Sequence, residues 1–188
     1  MNTTGRAAHL NAAAPFLITL LYLLLALPVL RDEAMRPAVL AVTALLGAAL
    51  IWLSVIDIRT MRLPDVVTLP LIVAGPAAAF ALADASLAWH IGSAAAGFLF
   101  LYLVAWGYRR LRGRDGLGLG DAKLFAAAGG WLGLEGLPSV MLWGSGAALL
   151  TVLLVAVVDR PLAGTARIPF GPFIALGFWL VWLYGPAA

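Results

Sequence analysis

From Pro37 to Ile56 the chain reads PAVLAVTALLGAALIWLSVI, without a charge, and the next residue is Asp57. About twenty apolar residues rising 1.5 Å each form a helix of roughly 30 Å, the thickness of a bilayer's hydrocarbon core. One such stretch would suit the buried helix of a soluble domain. This chain has uncharged runs of comparable length at 7–30, 37–56, 66–83, 85–108, 136–158 and 168–188. Of its 188 residues, 63% are hydrophobic and 11% charged, against about 25% charged in soluble domains. Six such helices cannot be covered by the polar residues that remain. A soluble enzyme, a nucleic-acid-binding domain and a disordered chain are thereby excluded. The composition predicts an all-α, polytopic membrane helix bundle, a single membrane domain over 1–188.

The counts bound the chemistry. There is no cysteine, hence no disulfide, thiolate metal site or Cys nucleophile. His9 and His90 stand far apart in sequence, so no metal site and no cofactor is expected. The formal net charge of +3 would suggest a nucleic-acid partner in a soluble protein. In a membrane protein it reads as basic cytoplasmic loops instead.

The apolar stretches predict about seven spans, with six to eight compatible, at 14–30, 37–56, 66–83, 87–106, 121–134, 137–158 and 168–184. The first reads as a retained helix, because no small-residue cleavage site follows it. The fifth is short and rich in glycine (Gly129, Gly130, Gly133), so a helix packed inside the bundle is an alternative there. The linkers sort by charge. Arg59 and Arg62, then Arg109, Arg110, Arg112 and Arg114, then Arg160 and Arg167 mark three linkers on one side. Asp84 and Glu135 mark two on the other, and the 31–36 loop, with two Arg, one Asp and one Glu, is balanced. The positive-inside rule puts the basic linkers and the N-terminus in the cytoplasm.

Acids at membrane spans are costly and usually face an interior or a cavity. Asp57 closes the second span and Asp121 opens the fifth, both at the cytoplasmic edge of this topology. Each has a plain structural reading. Asp121 follows a glycine-rich stretch and suits a helix N-cap. Asp57 can pair with Arg59 or Arg62, and Asp65, after Pro64, reads as a cap of the third span. The arginines of 109–114 can also touch anionic lipid headgroups. Against the plain reading of Asp121 stand Gly116, Gly118 and Gly120, which alternate just before it. A cap needs no such run, whereas close backbone approach does.

Three stretches carry a specific resemblance. Gly118-Leu119-Gly120-Asp121-Ala122-Lys123-Leu124, followed by Gly129-Gly130-Trp131-Leu132-Gly133, resembles the motif of the type IV prepilin peptidases, the GxGD membrane aspartyl proteases. Asp57-Ile58-Arg59-Thr60-Met61-Arg62-Leu63-Pro64-Asp65 resembles that family's first catalytic segment. Ile168-Pro169-Phe170-Gly171-Pro172-Phe173-Ile174-Ala175-Leu176-Gly177 resembles its last-helix motif. The similarity covers a catalytic core over about 45–180. It implies that Asp57 and Asp121 are the two catalytic aspartates and that Gly118 and Gly120 shape the loop beside the second. Lys123, Pro64 and Asp65 fall in matching motifs and are expected in supporting roles. Many bacterial members carry an insertion with paired CxxC motifs tied to N-methylation. With no cysteine, this chain resembles a peptidase-only form.

The resemblance implies a prepilin or pseudopilin substrate, with a short basic leader in the cytoplasm and an apolar helix in the membrane of a prokaryote. Cleavage would follow the glycine at that boundary. Two nearby carboxylates resist ionising together and share one proton. The charged one can draw a proton from water while the protonated one polarises the scissile carbonyl. Two rivals are a small proton-coupled transporter and a non-catalytic subunit of a pilus or secretion machine. The first predicts polar residues deep in the spans, where this chain has almost none; the second does not require both Asp57 and Asp121.

Overall fold

The computed structural model describes residues 3–30, 36–113, 116–159 and 169–187, with side chains from 13 onward and up to 156 in the first and fifth helices. The predicted linker charges at 31–33, 114, 160 and 167, and Ile168 of the third motif, lie outside the described residues, as do the side chains of Arg6 and His9. Among the described residues six helices follow one another: α1 (Thr3–Leu30), α2 (Pro37–Thr60), α3 (Asp65–Ala83), α4 (Leu87–Arg112), α5 (Leu119–Asp159) and α6 (Gly171–Tyr184). No strand occurs among the described residues.

Five of these helices are long and apolar enough to cross a membrane, and α6 is apolar but has 14 residues. Their outer faces carry the apolar side chains that a soluble protein would hide. Leu45, Val66, Val73 and Leu111 are more than two-thirds exposed. The protein is therefore an all-helical, multi-pass membrane protein.

Helix starts and stops follow local chemistry. Pro37 opens α2, where its missing N–H costs nothing. Ser86 caps α4, its hydroxyl accepting from the Trp89 N–H. Gly113 ends α4 in the left-handed conformation, with φ 66°. Met61 does the same after α2, with φ 54°, and donates its N–H to the Asp57 carbonyl at 2.8 Å.

α5 is two helices joined at Gly133, whose φ of 75° and ψ of 177° are not helical. The sequence places this break at 135–136; Glu135 instead lies within the second helix. The contacts of each arm with α6 give the path. Gly120 lies near the start of α6 through a shared neighbour, Leu63. Trp131 packs edge-on against Phe178 (6.4 Å) and Trp182 (5.4 Å), towards the end of α6. Gly144, beyond the break, is back beside Phe173 and Ile174. The chain thus runs along α6 in arm 119–132 and returns in arm 134–159.

The first arm is the centre of the bundle, and residues 124–131 are all buried. This is the packed inner helix that the glycines allow. A Cβ on Gly129 would overlap the Ser93 carbonyl of α4, and one on Gly75 of α3 would sit 2.6 Å from the Gly130 carbonyl carbon. Without a hydrophobic drive between helices in lipid, close backbone packing and buried hydrogen bonds hold the bundle. Trp131 Nε1 donates to Leu71 O of α3 at 2.8 Å, Trp182 Nε1 to Thr43 Oγ1 of α2 at 3.0 Å, and Trp179 Nε1 to Tyr22 O of α1 at 3.2 Å. Each is worth about 0.6 kcal/mol in such settings. Clefts of about 790 Å³ between α3 and α4 and about 340 Å³ between α2 and α3 are lined by apolar side chains.

Candidate active site

The Lys123–Asp65 pair, Nζ to Oδ1 at 2.6 Å, ties the start of α5 to the start of α3. The end of α2, the starts of α3, α5 and α6 and the end of α4 therefore share one end of the bundle. Exposed Arg59, Arg62, Arg109, Arg110 and Arg112 crown it. Asp84 and Glu135 mark the opposite end, where Trp89 Nε1 meets Glu135 Oε2 at 3.4 Å.

Asp57 stands in the last turn of α2, on the stripe of Leu46, Leu50 and Leu53, which turns inward. The same period buries the carboxylate, at 5% exposure. Its partner is not Arg59 or Arg62, as a surface reading of the sequence suggests. Asp57 Oδ2 accepts the backbone N–H of Gly171 at 3.1 Å. Gly171 is the first residue of α6, so the carboxylate sits where the helix dipole and an unpaired N–H favour an anion. A Cβ on Gly171 would come 2.7 Å from that oxygen, so only glycine fits without displacing the carboxylate.

Asp121 is the third residue of α5 and is 8% exposed. It is not the N-cap. Its Oδ2 reaches back to the N–H of Gly118 at 3.1 Å, which is the acidic half of a capping box. Two of the alternating glycines are required by close contacts, while Gly118 supplies its donor through the backbone, as any residue but proline could. A Cβ on Gly116 would strike the Tyr108 ring at 2.6 Å, and one on Gly120 would lie 2.9 Å from Leu63 Cβ.

The two carboxylates thus share a design. Each is buried, each rests on the N-terminus of a helix, and each commits one oxygen to a backbone N–H. Among the described residues no hydrogen bond engages Oδ1 of either. The glycines beside them, Gly120 and Gly171, share Leu63 as a neighbour, which places the two carboxylates in one region of the bundle end. A pair of carboxylates with free oxygens can hold a proton, activate water or polarise a carbonyl.

The supporting residues separate. Pro64 is the cap of α3, its carbonyl accepting from the Val67 and Thr68 N–H groups at 3.2 Å. Asp65 makes no capping bond, contrary to the reading of it as a cap; it is exposed and pairs with Lys123. Two residues were not singled out in sequence. Gly171 had a signal, because a glycine before Pro172 opens a helix within the third motif. Leu63 had none: it is one leucine among many. Among the described residues no cluster of three or more His, Asp or Glu could hold a metal ion.

The model of the type IV leader peptidase family matches residues 44–157, a span that contains Asp57 and Asp121. A prepilin leader peptidase/N-methyltransferase of Burkholderia pseudomallei is 45% identical over 132 residues, 70% of this chain and 42% of that protein. One of Dickeya chrysanthemi is 44% identical over 140 residues, 71% and 48% of the two chains. One of Aeromonas hydrophila is 37% identical over 182 residues, 96% and 61% of the two chains. The chain spans about half the length of the curated relatives it matches. No solved structure matches it. On the extent of the family match, this chain belongs to the type IV leader peptidase family.

Proposed function

We propose that this chain is a membrane aspartyl endopeptidase that removes the short basic leader of prepilins or pseudopilins, with Asp57 and Asp121 as its catalytic pair. The observation that carries this reading is the matched mounting of the two carboxylates, buried at one end of the bundle on the N-termini of α5 and α6. The names of the relatives agree with it.

In the proposed reaction the pair holds one proton. The ionised carboxylate takes a proton from water as the oxygen attacks the scissile carbonyl carbon. The protonated carboxyl hydrogen-bonds the carbonyl oxygen and stabilises the charge that develops there. Collapse of the tetrahedral intermediate breaks the C–N bond, and the amine leaves with the proton. The backbone N–H groups of Gly118 and Gly171 hold one oxygen of each carboxylate still, leaving Oδ1 of each for this chemistry.

The proposal extends to location. Five exposed arginines at the carboxylate end fit a cytoplasmic face, by the positive-inside rule. The N-terminus is then cytoplasmic, the membrane is the cytoplasmic membrane of a prokaryote, and the chain crosses it about seven times. A substrate with its leader in the cytoplasm and its apolar helix in the bilayer would bring its cleavage point to this edge. The test is processing of a purified prepilin by Asp57→Asn and Asp121→Asn variants in proteoliposomes. Asn keeps the size and cannot cycle the proton, so each variant should lose cleavage while still inserting and folding. Full cleavage by either would overturn the proposal.

A further inference from the structure

We propose that Leu63 is a positioning residue, a spacer wedged between the helix termini that carry Asp57 and Asp121, and that it sets the separation of the two carboxylates. This rests on the reading above that the two share a proton.

Leu63 lies in the four-residue connection between α2 and α3, where an exposed polar side chain would be expected. It is 9% exposed instead and belongs to the buried core. Its neighbours explain why. A Cβ on Gly120, one residue before Asp121, would fall 2.9 Å from Leu63 Cβ and 3.4 Å from its Cδ1. A Cβ on Gly171, which holds the Asp57 carboxylate, would fall 3.2 Å from the same Cδ1. One side chain thus touches both helix N-termini on which the carboxylates rest. Both termini are glycine at the point of contact, so each backbone closes directly onto the leucine. The connection is itself braced on both sides of Leu63. The Met61 N–H is bonded to the Asp57 carbonyl at 2.8 Å, and Asp65 is paired with Lys123 of α5.

The physical consequence concerns coupling. Two carboxylates share a proton to a degree that depends on their distance and on what lies between them. A packed hydrocarbon side chain holds that distance and keeps water out. Truncation to alanine leaves a void at the membrane edge beside two polar groups, a site that water can enter. The carboxylates then lose their fixed spacing and their low-dielectric coupling together. Besides the two carboxylates, the described charges at this end are exposed Arg59 of α2 and Arg62 of the same connection, Arg109, Arg110 and Arg112 of α4, and the Lys123–Asp65 pair.

The experiment measures cleavage of a purified prepilin in proteoliposomes by Leu63→Ala, Leu63→Met, Gly120→Ala and the Gly120→Ala/Leu63→Ala double variant, across pH. Leu63→Ala should lower kcat by roughly tenfold or more, since small misplacements of reacting groups have effects of that order. Its KM should stay within about threefold, because uniform substrate binding is not removed. The two limbs of its bell-shaped kcat profile should draw together by about half a pH unit, as weaker coupling requires. Leu63→Met restores the volume and should restore both the rate and the profile.

Gly120→Ala drives a methyl into Leu63 and should be impaired. The double variant should recover at least about threefold over Gly120→Ala alone, because the two residues touch. An unchanged pH profile in Leu63→Ala, with loss explained by the amount folded, would overturn the spacer. So would a Met variant as poor as Ala, or a double variant equal to the product of the singles. If Leu63→Ala does not fold, Leu63→Val carries the same expectation at smaller size. Cleavage by Asp57→Asn or Asp121→Asn would sink the catalytic pair itself, a separate result from any of these.

Discussion

Asp57 and Asp121 owe their special position to burial against a backbone donor, and Asp65 shows what the same residue does without it. Its side chain is 57% exposed and its partner Lys123 27% exposed. An exposed pair of this kind contributes under about 1 kcal/mol. Asp65→Asn should therefore lower prepilin cleavage less than about fivefold and leave the melting temperature nearly unchanged, since about 1 kcal/mol corresponds to about a fivefold change in an equilibrium. Asp57→Asn and Asp121→Asn should each abolish cleavage. A loss in Asp65→Asn as complete as theirs would move this carboxylate into the catalytic machinery. The three aspartates look alike as residues in their motifs. Their neighbours in the fold, Gly171, Gly118 and Lys123, separate them.

At the scale of the element, the inner arm 119–132 depends on having no side chain where backbones cross. Alanine at Gly129 would collide with the Ser93 carbonyl, a backbone atom that cannot step aside. Overpacking of that kind costs about 1–3 kcal/mol. Gly146, in the returning arm, has open space within 4 Å of its Cβ position. There alanine removes only the flexibility of glycine and gains up to about 1 kcal/mol. Thermal unfolding in detergent should show Gly129→Ala melting below the parent protein and Gly146→Ala at or above it. Equal effects would mean that the first arm is not the packed centre. Gly133→Ala should also melt lower, because φ of 75° with an extended ψ is strained for any side chain. It tests the break at which the chain turns back.

For the whole molecule, the alternation of helix directions makes a topological prediction. α4 has 26 residues, about 39 Å at 1.5 Å each, enough to cross the hydrocarbon core. Its ends should face opposite compartments. The parent chain has no cysteine, so single cysteines give a clean background. Arg112→Cys should react with an impermeant thiol reagent only from the cytoplasmic side, and Ala85→Cys only from the other. Labelling of both from one side would remove α4 as a span and with it the cytoplasmic placement of the carboxylates.

Much of this protein could be read without coordinates, because lipid makes a local demand on sequence. Every span must be apolar along most of its length, so the helices of 37–60, 65–83 and 87–112 show in the uncharged runs 37–56, 66–83 and 85–108. The two aspartates stood out for the same reason, as charges where charges are costly. The sequence places the break two residues late, because Glu135 with Gly136 reads as a charged linker between apolar runs, and only the backbone conformation singles out Gly133. The partners of the carboxylates were beyond reach. Gly171 lies 114 residues from Asp57 in the chain, and no pattern along one helix specifies which backbone N–H a buried carboxylate will meet. Leu63 was equally silent, since a leucine in a connection is unremarkable until two helix termini are seen to close on it. Local polarity is written residue by residue. Contact between distant termini follows from how the helices pack, and packing alone decided what surrounds each carboxylate.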